Sequence, residues 1–317
     1  MKTIFYKSLV KTLYKFTATR ILKIQMPITN SIGKRKVMDL EETSEFIQKG
    51  ILSGKPFMVA RYGGCENDII ASYNIHQNIN VPVSQKKFEY LCTNAGFFPR
   101  DITLVEKYVN IMEESAGSVD LLAIWNWMLE DYIVEKDAPN AQLTFLGSIE
   151  PWFSKNPWSK ALKGKKVLVV HPFSETIASQ YKKREILFAN NLDILPEFDL
   201  QVYKSVQSIA GNIPAEFRTW FDALEKMKND IEKIDFDVAI IGCGAYGFPL
   251  AHYVKKMGKQ AVHLAGATQL LFGIKGSRWE QGAYADLFKD IFNENWVRPS
   301  ENEKINQSET IEGACYW

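Results

Sequence analysis

The stretch that most constrains the fold is Phe236-Asp237-Val238-Ala239-Ile240-Ile241, which runs without a spacer into Gly242-Cys243-Gly244-Ala245-Tyr246-Gly247. An apolar strand entering a GxGxxG turn that opens a helix is the βα corner of a doubly wound sheet. The first glycine permits the tight turn, the second lets a phosphate approach the backbone, and the third allows close helix packing. Free N–H groups and the dipole at the helix start favour an anion there. The same turn can also be purely structural, or belong to a nicotinamide or flavin site. A dinucleotide fold, however, wants an acid about 20 residues on. Here the next strand ends His263-Leu264-Ala265-Gly266.

The surroundings alternate in the same way. Strands are expected at Lys166 to His171, Leu200 to Tyr203, Asp237 to Ile241 and Gln260 to Leu264. Between them come helices at Glu175 to Asn190, Pro214 to Lys233 and Tyr246 to Met257. Upstream, helix Leu40 to Leu52 precedes strand Phe57 to Arg61 and a helix from Glu66; helix Ile102 to Glu114 precedes apolar runs at Val119 to Trp125 and Leu143 to Leu146. Such alternation predicts an α/β chain with a Rossmann-like, mostly parallel sheet and helices on both faces. At 317 residues it can form one large or two small domains, since single cores stop growing at roughly 250 to 300 residues. The expected division is a basic helix and linker over 1–37, an α/β half over 38–150, a nucleotide-diphosphate-binding half over 151–292, and a tail over 293–317. The Pro- and Trp-rich stretch Glu150 to Trp158 reads as a loop over a cleft, and the tail as a strap held by Cys315-Tyr316-Trp317.

Charge is neutral overall and uneven locally. A net charge of +1 argues against nucleic acid as a partner. Yet residues 1–37 carry nine Lys or Arg and no acid. Phe5, Leu9, Leu13 and Phe16, with Tyr6, Val10 and Tyr14, recur there at helical spacing beside Lys7, Lys11 and Lys15. This basic amphipathic helix, residues 1–24, suits either an anionic membrane surface or packing on its own domain. Its frequent lysines leave no apolar stretch for a cleavable signal or a span. Cys65, Cys92, Cys243 and Cys315 are scattered, without zinc-ligand spacing, as expected of a reduced cytoplasmic protein.

Three further groups follow expected strands, where ligands of open α/β sheets collect. In Arg61-Tyr62-Gly63-Gly64-Cys65-Glu66, the arginine suits a phosphate and the glutamate a general base or metal ligand; an Arg61/Glu66 ion pair tying the turn is the plainer alternative. In His171-Pro172-Phe173-Ser174-Glu175-Thr176, His171 is a second candidate base or a core histidine, and Ser174 a helix cap. Lys275 and Arg278, in a glycine-rich loop beside Trp279, either close over a nucleotide or are solvated.

Together, the ArgTyrGlyGlyCysGlu stretch, GlyCysGlyAlaTyrGlyPheProLeuAla, a helix ending LysLysMetGlyLys and the strand AlaValHisLeuAlaGly resemble the GT-D-fold glycosyltransferases of bacterial polysaccharide and glycoprotein assembly. The likeness runs from Phe57 to Trp279. It implies an early arginine-glycine segment ending in Asp-x-Glu and a later half that holds a nucleotide diphosphate. Arg61 and Gly63 match the arginine and glycine, and Glu66 the final glutamate; Gly64 stands where the family has its aspartate. The resemblance thus implies a nucleotide-sugar donor and a glycan or lipid-linked acceptor at the inner membrane face. Glu66 or His171 would be the base, and Arg61, Gly63, Gly242, Gly244, Tyr246, Gly247, Lys275 and Arg278 the nucleotide contacts. Mg²⁺ or Mn²⁺ would rest on Glu66 alone, a weaker site than two carboxylates. A NAD-type oxidoreductase, a non-catalytic nucleotide-binding module and a transferase of another phosphosugar group are the competing classes.

Overall fold

The computed structural model describes residues 1–21, 23 and 30–317. Among the described residues there are nine strands: β1 Ser31–Ile32, β2 Arg35–Met38, β3 Phe57–Arg61, β4 Leu121–Ile124, β5 Gln142–Phe145, β6 Lys166–His171, β7 Asp199–Lys204, β8 Val238–Ile241 and β9 Gln260–His263. They form one sheet in the order β1-β2-β5-β4-β3-β9-β8-β6-β7. Every pairing is parallel except the β1–β2 hairpin. The fold is therefore α/β and Rossmann-like. Its two expected halves share this sheet, joined where β3 lies beside β9.

Side chains alternate across the pleat and sort into two cores. Met58, Ala60, Leu168, Val170, Ala239 and Ile241 face one, with helices Gly64–Ile79, Val105–Ala116, Trp220–Ile231 and Gly247–Lys256. Phe57, Val59, Val167, Val169, Val238 and Ile240 face the other, with helices Leu40–Leu52 and Ser174–Tyr181 and the carboxy-terminal segment. β6 thus leaves the sheet on one face and its neighbour β8 on the opposite face. Connections that diverge in this way open a crevice at the carboxyl ends of the strands.

Several expectations need correction. Of the 26–36 linker, residues 26–29 lie outside the described residues. Beyond them, Ser31 to Met38 form the hairpin, a short charged edge strand with little apolar signal. The helix expected from Pro214 begins at Trp220, because Thr219 and Asp222 form a reciprocal capping box. The helix expected over 175–190 breaks into Ser174–Tyr181 and Arg184–Leu187. Ser174 is not its cap; the remote Glu303 carboxylate accepts the Glu175 and Thr176 N–H groups. The 150–158 stretch does not cover a cleft. Trp158 is fully buried in the second core, its indole N–H donating to the Ile149 carbonyl at 2.8 Å. Helix Lys2–Phe16 packs on helix Glu130–Asp137: Phe5 meets Tyr132 edge-on at 5.2 Å, and Ser8 Oγ donates to Asp131 at 3.1 Å.

Candidate functional site

A cavity of about 500 Å³ lies over the carboxyl ends of β3, β4, β6, β7, β8 and β9. That is room for a nucleotide-sized ligand. It brings together Arg61, Gly63, Glu66, His171, Gly242, Gly244, Tyr246 and Arg278. Gly247 and Lys275 are not among its lining residues. Lys275 pairs with Glu280 at 3.3 Å and its N–H donates to Val297.

Arg61 ends β3, its guanidinium 4.5 Å above the Trp125 ring and its buried Nε without a hydrogen-bond partner. Burial lowers its pKa, while Glu66, Tyr316 and Glu150 oppose that; an arginine keeps its charge throughout. Trp125 is held in turn. Its indole N–H donates to the Tyr62 carbonyl at 2.7 Å, and its backbone N–H, like that of Trp127, donates to the buried Glu130 carboxylate at 2.9 Å. Trp127 donates from its indole to Asp68 at 2.9 Å.

Glu66, in the first turn of helix Gly64–Ile79, is 7% exposed. Its carboxylate folds back over Gly63, so a Cβ at residue 63 would lie 2.5 Å from the Glu66 carboxyl carbon. Gly63 itself has ordinary extended angles, φ −75° and ψ 162°. The glycine therefore makes room for the carboxylate. Burial raises the Glu66 pKa, opposed by its own backbone N–H and by Arg61. No ion pair ties Arg61 to Glu66 within contact distance among the described residues.

The glycine-rich turn has a different logic from a bare phosphate cradle. A Cβ on Gly242 would sit 2.5 Å from Thr268 Oγ1, and one on Gly247 would sit against His263 Nε2 and 2.6 Å from its Cδ2. Both glycines serve close packing against β9 and the turn after it. Gly244 adopts φ +59°, with the Ala95 carbonyl 3.1 Å from where its Cβ would be. Tyr246 stacks on Trp220 at 5.0 Å and its hydroxyl meets Ser208 at 3.0 Å. It walls the cavity from the core. A one-turn 3₁₀ segment, Gly244–Tyr246, precedes helix Gly247–Lys256, and the unpaired N–H groups of such a start suit an anion.

His171 is 3% exposed, with Nδ1 accepting the Phe173 N–H at 3.0 Å. That bond assigns the proton to Nε2. Burial pulls the pKa down to about 3, so the ring is a neutral donor and a poor base at neutral pH. His263, at the end of β9, is likewise pulled down to about 3 by burial, and neither ring nitrogen has a partner. Gln269 Oε1 is also buried and unpaired. All three line the cavity.

The carboxy-terminal segment supplies another wall. Gly266 lets Tyr316 close in, a Cβ there being 2.6 Å from the Tyr316 ring. The Arg278 guanidinium sits 4.8 Å from that ring's centre and pairs with Glu312, which also accepts from the Tyr90 hydroxyl at 2.8 Å. Arg278 thus lines the site while already partnered. The sequence alone assigns no role to Trp125, Trp127, His263 or Gln269, although Trp125 follows β4 and His263 ends β9, where position alone marks them. Tyr90, Asn94 and Glu312 carried no such signal.

The Mg²⁺ or Mn²⁺ implied by the resemblance would find Glu66, together with an Asp68 already engaged by Trp127 and Lys87. Among the described residues no group of three or more His, Cys, Asp or Glu is placed to hold a metal ion. Glu66 and Asp68 both line the cavity, and two such carboxylates would hold Mg²⁺ or Mn²⁺ together with a ligand's phosphates. No family model, curated protein or solved structure matches the chain.

Proposed function

We propose that the cavity binds a nucleotide-diphosphate sugar and that the chain is a glycosyltransferase. It would act in the cytoplasm on a glycan or lipid-linked glycan acceptor in bacterial surface polysaccharide or glycoprotein synthesis. One observation carries the reading: an unpaired, half-sequestered Arg61 guanidinium shares a cavity with a buried Glu66 carboxylate, beside the Gly242–Gly247 turn. A cation for the leaving group and a base for the acceptor are the two charges that such chemistry needs.

In the transfer, the acceptor hydroxyl oxygen bonds to the anomeric carbon as the bond from that carbon to the diphosphate breaks. The electron pair leaves on the diphosphate and the hydroxyl proton passes to Glu66. Arg61 and the helix-start N–H groups stabilise the departing charge, in a site where fixed charges act more strongly than in water. Neutral His171 donates from Nε2 to a substrate oxygen. Trp125 and Trp127 offer ring faces to a base or sugar. Raised by burial, Glu66 is a stronger base than an exposed carboxylate, provided the pH lies above its pKa.

A thermal-shift screen of nucleoside diphosphates, with NADH and NAD⁺ as controls, tests the binding half of this reading. Stabilisation by a diphosphate and not by NAD(H) is expected; the reverse refutes it. For the chemistry, Glu66→Gln should lower donor turnover by about 10² to 10⁴ with nucleotide affinity kept. Wild-type turnover in that variant assigns Glu66 to structure. Binding without turnover of any donor leaves only a nucleotide-binding module.

A further inference from the structure

Helix Lys2–Phe16 turns its residues in an unexpected sense. Lys11 pairs with Asp131 and Lys15 donates to the Asn126 side chain, so these lysines face the protein. Facing outward are Tyr6, Val10, Leu13, Tyr14 and Phe16, each between 49% and 66% exposed. Residues 6, 10, 13 and 14 fall on one helical stripe, with the exposed Lys2 and Lys7 at its borders. Large apolar side chains in one stripe, on a helix already anchored by Phe5 and Ser8, mark a surface meant to be covered.

Charge selects the cover. Of the nine basic residues in 1–37, Lys11, Lys15, Arg35 and Lys36 are taken up by partners, while Lys2 and Lys7 stand exposed beside the stripe on a helix without an acid. A second copy of this chain would face the stripe with the same lysines, and like charges brought together disfavour such a pairing. An anionic headgroup layer is complementary. Among the described residues no helix is long and apolar enough to cross a membrane, so this helix would lie along the surface.

The far end of the helix reaches the cavity. Lys15 holds Asn126, which stands between Trp125 and Trp127, and Thr12 Oγ1 accepts the Leu129 N–H at 3.1 Å. Both tryptophans line the cavity, and Trp127 is 43% exposed. We infer that helix Lys2–Phe16 lies on an anionic bilayer through Tyr6, Val10, Leu13, Tyr14 and Phe16 and holds the mouth of the cavity at the headgroup layer. A lipid-borne acceptor would then meet the site without leaving the membrane. That last consequence rests on the glycosyl-transfer reading; the surface contact does not.

The experiment is co-sedimentation of the full chain with phosphatidylcholine vesicles, with and without phosphatidylglycerol. Binding to the anionic vesicles and its weakening by salt are expected. Replacing Lys2 and Lys7 by Gln should weaken it about fivefold per residue. Val10→Glu with Leu13→Glu should abolish it while leaving thermal unfolding and vesicle-free donor hydrolysis unchanged, since both residues are exposed. No binding by the intact chain, or full binding by the Glu double variant, overturns the inference. So does a dimer in sedimentation velocity that the same double variant dissociates, because the face then belongs to a second copy. Vesicle binding by a chain that turns over no donor refutes the transferase reading alone.

Discussion

Gly63→Ala isolates what Glu66 does. The new methyl group would stand 2.5 Å from the Glu66 carboxyl carbon, and the three atoms nearest to it all belong to that side chain. The carboxylate must swing out of its place. At φ −75° and ψ 162° the backbone accepts alanine without strain. Gly→Ala at a compatible position stabilises by about 0.4 to 1 kcal/mol through the unfolded chain. Forcing Glu66 into a poorer rotamer costs about 0.5 to 1.5 kcal/mol. The two nearly cancel, so global stability should change by no more than about 1 kcal/mol. Activity should not be spared. A displaced base forfeits most of the roughly 10² to 10⁴ that general base catalysis supplies. The assay is donor turnover in a cycle of Gly63→Ala, Glu66→Gln and the double variant, with urea unfolding alongside. If both substitutions act through one carboxylate, the double variant is no slower than Glu66→Gln. Retained turnover in Gly63→Ala, or losses that multiply in the double variant, refutes the assignment.

Other outcomes follow from the same geometry. Gly244→Val places a β-branched residue at φ +59° against the Ala95 carbonyl, and should abolish nucleotide binding in a thermal-shift assay while the chain still unfolds cooperatively; unchanged binding removes the turn from the site. His171 and His263 are held at about 3 by burial, so the native state stays unprotonated where unfolded histidines, near 6.5, take up protons. Their contribution is present above about pH 6.5 and is lost as pH falls toward about 3. Urea unfolding against pH should show this decline, and His263→Gln should make it shallower; an identical slope in the variant refutes the assignment.

The interior strands were legible because β3, β6, β8 and β9, covered on both faces, read as continuous apolar runs such as Val167 to Val170 and Val238 to Ile241. β1 and β2 were hidden because an edge hairpin of Ser, Lys and Arg buries little. Arg61, Glu66 and His171 stood out in the sequence because they follow or end apolar strands, and the structure brings them to one cavity. Their environments were less accessible. That His171 is a neutral donor depends on the Phe173 N–H and on burial; that Gly63 exists for Glu66 depends on a side chain turning back on its own helix start. Gly242 and Gly247 satisfied the motif for the motif's packing reasons, against Thr268 and His263. Lys275 satisfied only a composition.

The contact of β3 with β9 sets strands about 200 residues apart in the chain side by side, and the cavity hangs over that seam. Neither Arg61 nor His263 has its environment until this pairing closes, and long-range parallel pairing is a slow event in folding. A ligand spanning the seam can therefore bind only the finished sheet. By mass action it adds its binding free energy to the stability of both halves at once. Substrate would then act as a clasp, and amide protection should rise in concert from β4 to β6 when it binds.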